Sequence, residues 1–167
     1  MSKADELIAR LGLTPHPREG GFFRETYRCE ESYAPDSLPP RYFGPRSVGT
    51  AIYYLLKPGT MSALHRLRSD EVFHFYLGDP VRMLQLLANG SGKSIVLGPN
   101  LEAGQQVQVA VPRNVWQGTI LEPGSEFALL GCTVAPGFDY ADYEHGDRSE
   151  LIRKYPQFAD EITRLTP

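Results

Sequence analysis

Residues 59–78 read GTMSALHRLRSDEVFHFYLG. Two glycines bracket His65, Leu67 and Glu71 in the spacing G-x5-H-x-L-x3-E-x6-G. Turn chemistry stands at both ends, in KPGT before the stretch and in the Asp79-Pro80 step after it. Between the ends, SALHRL and EVFHFYLG are short apolar runs divided by RSD, the pattern of two strands joined by a tight turn. Alternate residues of a strand share a face, so positions 65 and 67 point the same way, and Glu71 falls on the next strand.

The same rhythm continues outward. VGTAIYYLL lies before the stretch, and VRMLQLLA, SIVLG, QVQVAV, VWQGTIL and EFALLGCTV follow it, each set off by Gly, Pro, Asn or Ser. Evenly spaced short strands with such punctuation predict an all-β sandwich or barrel rather than alternating strands and helices. FFRETYRC, from Phe22, reads as one more strand, and Glu30–Arg46 with its four prolines as a long, stiff loop. Helices flank this core. Residues 4, 7, 8 and 11 are apolar and Gly12 follows as a stop, while Asp147 or Ser149 suits a cap for a C-terminal helical tail over about 147–165.

The chain has 167 residues, 41% of them hydrophobic, and a net charge of -3. That is enough to bury one core, and we expect a single domain over 1–167 with its barrel at about 22–135. A basic stripe is absent, which argues against nucleic acid as a partner. Cys29 and Cys132 are far apart, so reduced, buried thiols are expected rather than a disulfide framework. No window has the length and apolarity of a membrane span, and the first residues lack a signal core. A cytoplasmic location is therefore expected, with no membrane partner.

The frame at 59–78 resembles the first motif of the cupin superfamily, G-x5-H-x-H-x3-E-x6-G, with Leu67 in place of the second histidine. The second cupin motif, G-x5-P-x-G-x2-H-x3-N, has its best counterpart at Gly104–Leu121. There Asn114 stands for a glycine and Gln117 for the histidine. The segments HPREGGFFRETYR, TAIYYLL, HRLRSDEVFHFYLGDP, VPRNVWQ and GCTVAPGFDYADYE together resemble a small single-domain branch whose members mostly have no known function. The resemblance implies a double-stranded β-helix, the jelly-roll cupin barrel, and a homodimer formed through the barrel sheets. It also implies a pocket in which two motif histidines, the glutamate and a third histidine hold iron, manganese or zinc. Only His65 and Glu71 of that quartet survive. A neutral amide at 117 is a poor ligand for such a metal, so no cofactor is expected beyond a weakly held divalent ion.

Several residues are candidates for the chemistry. His65 beside Glu71 is either a general base or half of a structural hydrogen bond. Tyr140 is placed as an opposing acid. Arg24, Tyr27, Tyr53, Phe75, Trp116 and Gln117 are candidate ligand contacts, in a pocket suited to a planar or sugar-like molecule with one anionic group. Strand alternation turns His74 away from Glu71, although it would complete a metal set with His65 and Glu71 if a bulge intervened. NGSGKS at 89–94 reads as a hairpin turn rather than a phosphate loop, and Asp139, Asp142 and Glu144 read as a solvated loop. Similarity in shape to metal-free sugar-nucleotide epimerases points to a small-molecule-binding protein, with metal-independent isomerisation through His65 as its expected reaction. The alternatives are a non-catalytic binding or sensing module and a metal-dependent enzyme with a degenerate site.

Overall fold

The computed structural model describes residues 2–167. Helix α1 (Lys3–Leu11) leads into strands β1 (Thr14–Pro15), β2 (Phe22–Arg28), β3 (Ser32–Tyr33), β4 (Arg46–Ser47), β5 (Thr50–Leu56), β6 (Met61–Arg66) and β7 (Asp70–Gly78). Next come β8 (Val81–Leu86), β9 (Gly92–Leu97), β10 (Gln108–Val111), β11 (Trp116–Leu121), β12 (Ala128–Ala135) and β13 (Glu144–His145), followed by helices α2 (Arg148–Lys154) and α3 (Ala159–Arg164).

The strands form a six-stranded sheet in the order β1-β2-β5-β12-β7-β10 and a five-stranded sheet in the order β13-β6-β11-β8-β9. All pairings between them are antiparallel. The chain crosses repeatedly from one sheet to the other, giving the jelly-roll barrel that the spaced short strands predict. NGSGKS is the β8–β9 hairpin, as read from the sequence. The loop at 30–46 is tied down by the β3–β4 ladder and by Tyr42, whose hydroxyl lies 2.9 Å from Ser69 Oγ.

Three apolar clusters hold the layers together. Between the sheets lie Tyr54, Leu56, Phe73, Met83, Leu97 and Leu130. On the outer face of the five-stranded sheet, Leu64, Leu84, Leu86 and Trp116 are covered by Leu151, Tyr155, Ile162 and Leu165 of the C-terminal segment. Each such side chain contributes roughly 1.5–3 kcal/mol when fully buried. Helix α1 lays Leu7, Ile8 and Leu11 over Leu55 and Leu129 on the outside of the other sheet. A capping box between Ser2 and Asp5 starts α1, and Gly12 in the left-handed region ends it. Asp147 accepts from the Glu150 amide and caps α2. No helix among the described residues is long and apolar enough to cross a membrane.

Candidate functional site

The site lies where β6 ends and β7 and β11 begin. His65 on β6 faces Gln117 on β11 in register, and Asn114 takes the left-handed turn expected of it (φ 63) so that its amide bonds to the Leu67 carbonyl. His65 Nδ1 is 2.7 Å from the Ala63 carbonyl oxygen. A carbonyl only accepts, so Nδ1 carries a proton and leaves Nε2 as the nitrogen that faces β11. Gln117 Nε2 lies 2.8 Å from that atom and 2.9 Å from Glu71 Oε2. One amide group therefore donates to both surviving motif residues.

Two further side chains arrive from the segment before β2. His16 Nδ1 accepts the backbone N–H of Glu19 (2.9 Å) and of Arg18 (3.3 Å), which places its ring proton on Nε2. That Nε2 is 3.6 Å from Glu19 Oε1, and His65 Nε2 is 3.6 Å from the same oxygen. Ser62 Oγ donates to the other Glu19 oxygen at 3.3 Å. The segment presses against β6 through Gly20 (φ +90), where a Cβ would stand 2.6 Å from the Met61 carbonyl oxygen. Only glycine fits that contact.

Burial governs the electrostatics. Glu71 is 8% exposed, and burial, aided by the charge of Glu19, pushes its carboxyl up to about 8 against the pull of hydrogen bonds from Cys132 and Gln117. At neutral pH it holds a proton, on the oxygen that does not accept from Gln117. Burial holds His16 below its ordinary value, so that ring stays neutral, and burial drives the Cys132 thiol well above its own.

Glu71, His16, Cys132, Thr50 and Val134 form the buried part of the wall of a cavity of about 340 Å³, with Glu19 beside them half-buried. Phe23, Glu25 and Ile52 line its flank, and Arg28, Phe138, Asp139 and Tyr140 complete it. Tyr140 is 38% exposed at this outer end, with burial raising its phenol modestly.

The residues expected to touch a ligand divide sharply. Glu71 and Tyr140 are on the wall. His65, 1% exposed, lies behind Glu71 and Gln117, stacked on Tyr143 at 5.2 Å. Gln117 is equally buried and reaches the cavity through Glu71. Phe75 packs against the core between the sheets, and Trp116 is on the outer face of the five-stranded sheet, with the Arg66 guanidinium 4.5 Å from its ring centroid. Arg24, Tyr27 and Tyr53 lie outside the cavity wall. The reason is strand phase. Phe23 and Glu25 face inward, a bulge between Glu25 and Tyr27 resets the alternation, and Arg28 is the next inward residue. Tyr27 is left 56% exposed.

His74 is turned away from Glu71, bonded to Thr133 Oγ1 at 3.1 Å and to the Gln108 amide at 3.2 Å. The solvated reading of the acidic trio fails at Asp142. It is buried in a two-pronged pair with Arg46, both contacts 2.7 Å, while Glu144 pairs with Arg66 at the surface. The one cation on the pocket wall, Arg28, already has its charge met by Glu25, with a further bond to the Phe138 carbonyl.

A four-ligand metal centre does not fit these residues. His65 is oriented as a ligand, with Nδ1–H on a carbonyl, but the Gln117 amide hydrogens point at its lone pair and at Glu71. Leu67 is buried and apolar, and His16 has its proton on the nitrogen that faces Glu19. No group of three or more His, Cys, Asp or Glu side chains among the described residues is arranged to hold a metal ion.

The family described as Cupin superfamily (DUF985) matches residues 5–146. The chain belongs to the cupin superfamily. This cupin is 30% identical over 152 residues to the uncharacterised protein YML079W of Saccharomyces cerevisiae, covering 85% of this chain and 74% of that protein. The crystal structure of protein SO0799 from Shewanella oneidensis aligns with a TM-score of 0.86 at 33% identity, covering 100% of this chain and 99% of the other. A hypothetical protein from Leishmania major gives 0.87 at 28% identity, covering 99% of each chain. His16 and Glu19 lie within the HPREGG segment that carries part of this likeness. Their neighbourhood is turn chemistry, with two prolines and two glycines, and it carries no strand spacing that would mark either residue.

Proposed function

We propose that this cupin binds a small carbonyl-bearing metabolite, sugar-like in size and polarity, and moves a proton on it without a metal, as isomerases and epimerases do. One observation carries the reading. The Gln117 amide engages the metal-facing atoms of His65 and Glu71, leaving two carboxyl groups, Glu71 and Glu19, on the wall of one cavity. Glu71 holds a proton at neutral pH, and Glu19 is the negative charge felt there. Two carboxyls in different states are the partners that acid–base chemistry requires.

Glu19 takes the proton from the carbon next to the carbonyl. The C–H electron pair becomes the C=C bond of an enol, and the carbonyl π pair accepts the Glu71 proton at oxygen. Return of the two protons, on the other face or at the neighbouring carbon, completes the rearrangement. His16 Nε2–H steadies Glu19. His65 becomes a positioning residue, because its lone pair orients the Gln117 amide that holds Glu71.

The test is hydrogen–deuterium exchange in D2O, followed by NMR, with metal-stripped protein and a panel of aldoses, ketoses and keto acids. Exchange next to the carbonyl is expected, falling about 10²–10⁴-fold in Glu71→Gln and Glu19→Gln. Exchange that appears only after adding iron, manganese or zinc overturns the metal-free mechanism. A compound that binds in the cavity and never exchanges makes this a recognition site instead of an enzyme.

A further inference from the structure

The cavity wall carries four carboxyl groups, Glu19, Glu25, Glu71 and Asp139, and one guanidinium. Arg28 spends that guanidinium internally. Its Nε and Nη2 donate to the two Glu25 oxygens at 2.9 and 2.8 Å, and Nη2 also donates to the Phe138 carbonyl at 3.1 Å. With Arg28 and Glu25 meeting each other's charge, Glu19 and Asp139 are the remaining carboxyl groups besides Glu71, and the Arg28 and Arg46 guanidiniums feel the charge of Asp139. Neither Glu19 nor Asp139 forms an ion pair with a lysine or arginine among the described residues. Glu19 faces two histidines at 3.6 Å, and Asp139 accepts only the Ala141 amide, at 2.8 Å.

A second, independent feature is the arrangement of rings. Phe138, Asp139 and Tyr140 are consecutive wall residues, and the two aromatic rings meet edge to face at 4.9 Å, while the Asp139 carboxylate turns to the Ala141 amide. Phe23 faces the same space. This corner already attracts cations. The Arg18 guanidinium, itself outside the wall, lies 5.0 Å from the Tyr140 ring centroid and 5.6 Å from that of Tyr143. Carboxylates and ring faces both receive hydrogen or positive charge. The one cation on the wall, Arg28, already has its charge met by Glu25.

We infer that the metabolite bound in this cavity carries a protonated amine, seated at the Phe138–Asp139–Tyr140 corner, and that carboxylate- and phosphate-bearing analogues are rejected. The inference deepens the proposed function and rests on the cavity being a small-molecule site. It is independent of the proton-transfer step, because Asp139 takes no part in that step.

The test uses the full chain and two matched sets of compounds that differ mainly in charge. These are glucosamine, glucose and glucuronate, and 1,4-diaminobutane, 1,4-butanediol and succinate. Binding is read by saturation-transfer NMR and by calorimetry at pH 7 and fixed ionic strength. The amine of each set is expected to bind at least tenfold more tightly than its alcohol, and the carboxylate not at all. In Asp139→Asn, whose side chain still caps the Ala141 amide, the amine preference is expected to fall at least threefold while the weaker binding of the alcohol is unchanged. Phe138→Leu, which keeps the carboxylate, is expected to weaken the amine alone. Equal binding across a set, or preference for the carboxylate, overturns the amine inference and leaves the small-molecule reading standing. Absence of binding by every member of both sets overturns both.

Discussion

Along the same strands, the barrel interior is apolar at one end and polar at the other. β7 places Phe75 and Phe73 at the first end and Glu71 at the second, β8 runs from Val81 through Met83 to Gln85, and β11 from Leu121 through Thr119 to Gln117. At the apolar end the side chains fill the space between the sheets. At the polar end a network of amide, imidazole and carboxyl groups borders a cavity, with Gln117 Oε1 and Thr119 Oγ1 buried and unpartnered. A buried acceptor without a donor costs about 1–3 kcal/mol. The contrast teaches that one fold can stabilise itself at one end and keep a costly, chemically poised group of residues at the other.

The strongest way to break this comparison is to cut into the apolar end. Phe73→Ala is expected to lose about 3–5 kcal/mol of stability in urea unfolding, and a loss below 1 kcal/mol would mean that the end is not tightly packed. At the polar end, stability is expected to depend on pH through Glu71. Between its ordinary value of 4.5 and its folded value of about 8, the folded chain holds a proton that the unfolded chain has released. Glu71 stabilisation is thus complete below about 4.5 and declines as pH rises towards 8, at most about 1.4 kcal/mol per pH unit. Glu71→Gln should flatten that limb. The opposing acid limb should remain, because His16 stays neutral in the fold while the unfolded chain protonates as pH drops below 6.5. An unchanged slope between about pH 4.5 and 8 in the variant would remove Glu71 from the account.

A smaller effect sharpens the role of the amide. Gln117→Leu removes the orphaned oxygen but also the amide that donates to His65 Nε2 and Glu71 Oε2, and we expect a net loss of about 1–3 kcal/mol. Stabilisation by that change would show the network to be dispensable. The smallest effect belongs to the surface. Arg66→Ala, which breaks the exposed pair with Glu144 and uncovers Trp116, should cost no more than about 1 kcal/mol in thermal unfolding.

Much of the site was legible in the spacing. The motif frame brought His65, Glu71 and Gln117 together because strand pairing converts sequence intervals into opposite positions. It also marked His74 as facing away, since alternation holds along the first part of β7. The wall was far less legible. Glu19 and His16 lie 52 and 55 residues before Glu71 and enter by a glycine turn, which no strand period encodes. The bulge in β2 exchanges Tyr27 for Arg28 on the inner face, and the loop after β12 delivers Phe138 and Asp139 from outside the barrel strands.

By itself, the amino-acid sequence determined the all-β barrel with its helical ends and the loss of two metal ligands at Leu67 and Gln117. Apolar periodicity and turn residues act locally, and a missing nitrogen ligand is missing in any fold. The tertiary structure alone decided that the Gln117 amide bridges His65 and Glu71, that Glu71 is held protonated, and which aromatic and acidic side chains enclose the cavity. Those outcomes depend on burial and on ångström-scale distances between residues far apart in the chain, and both are set only when the sheets close on one another.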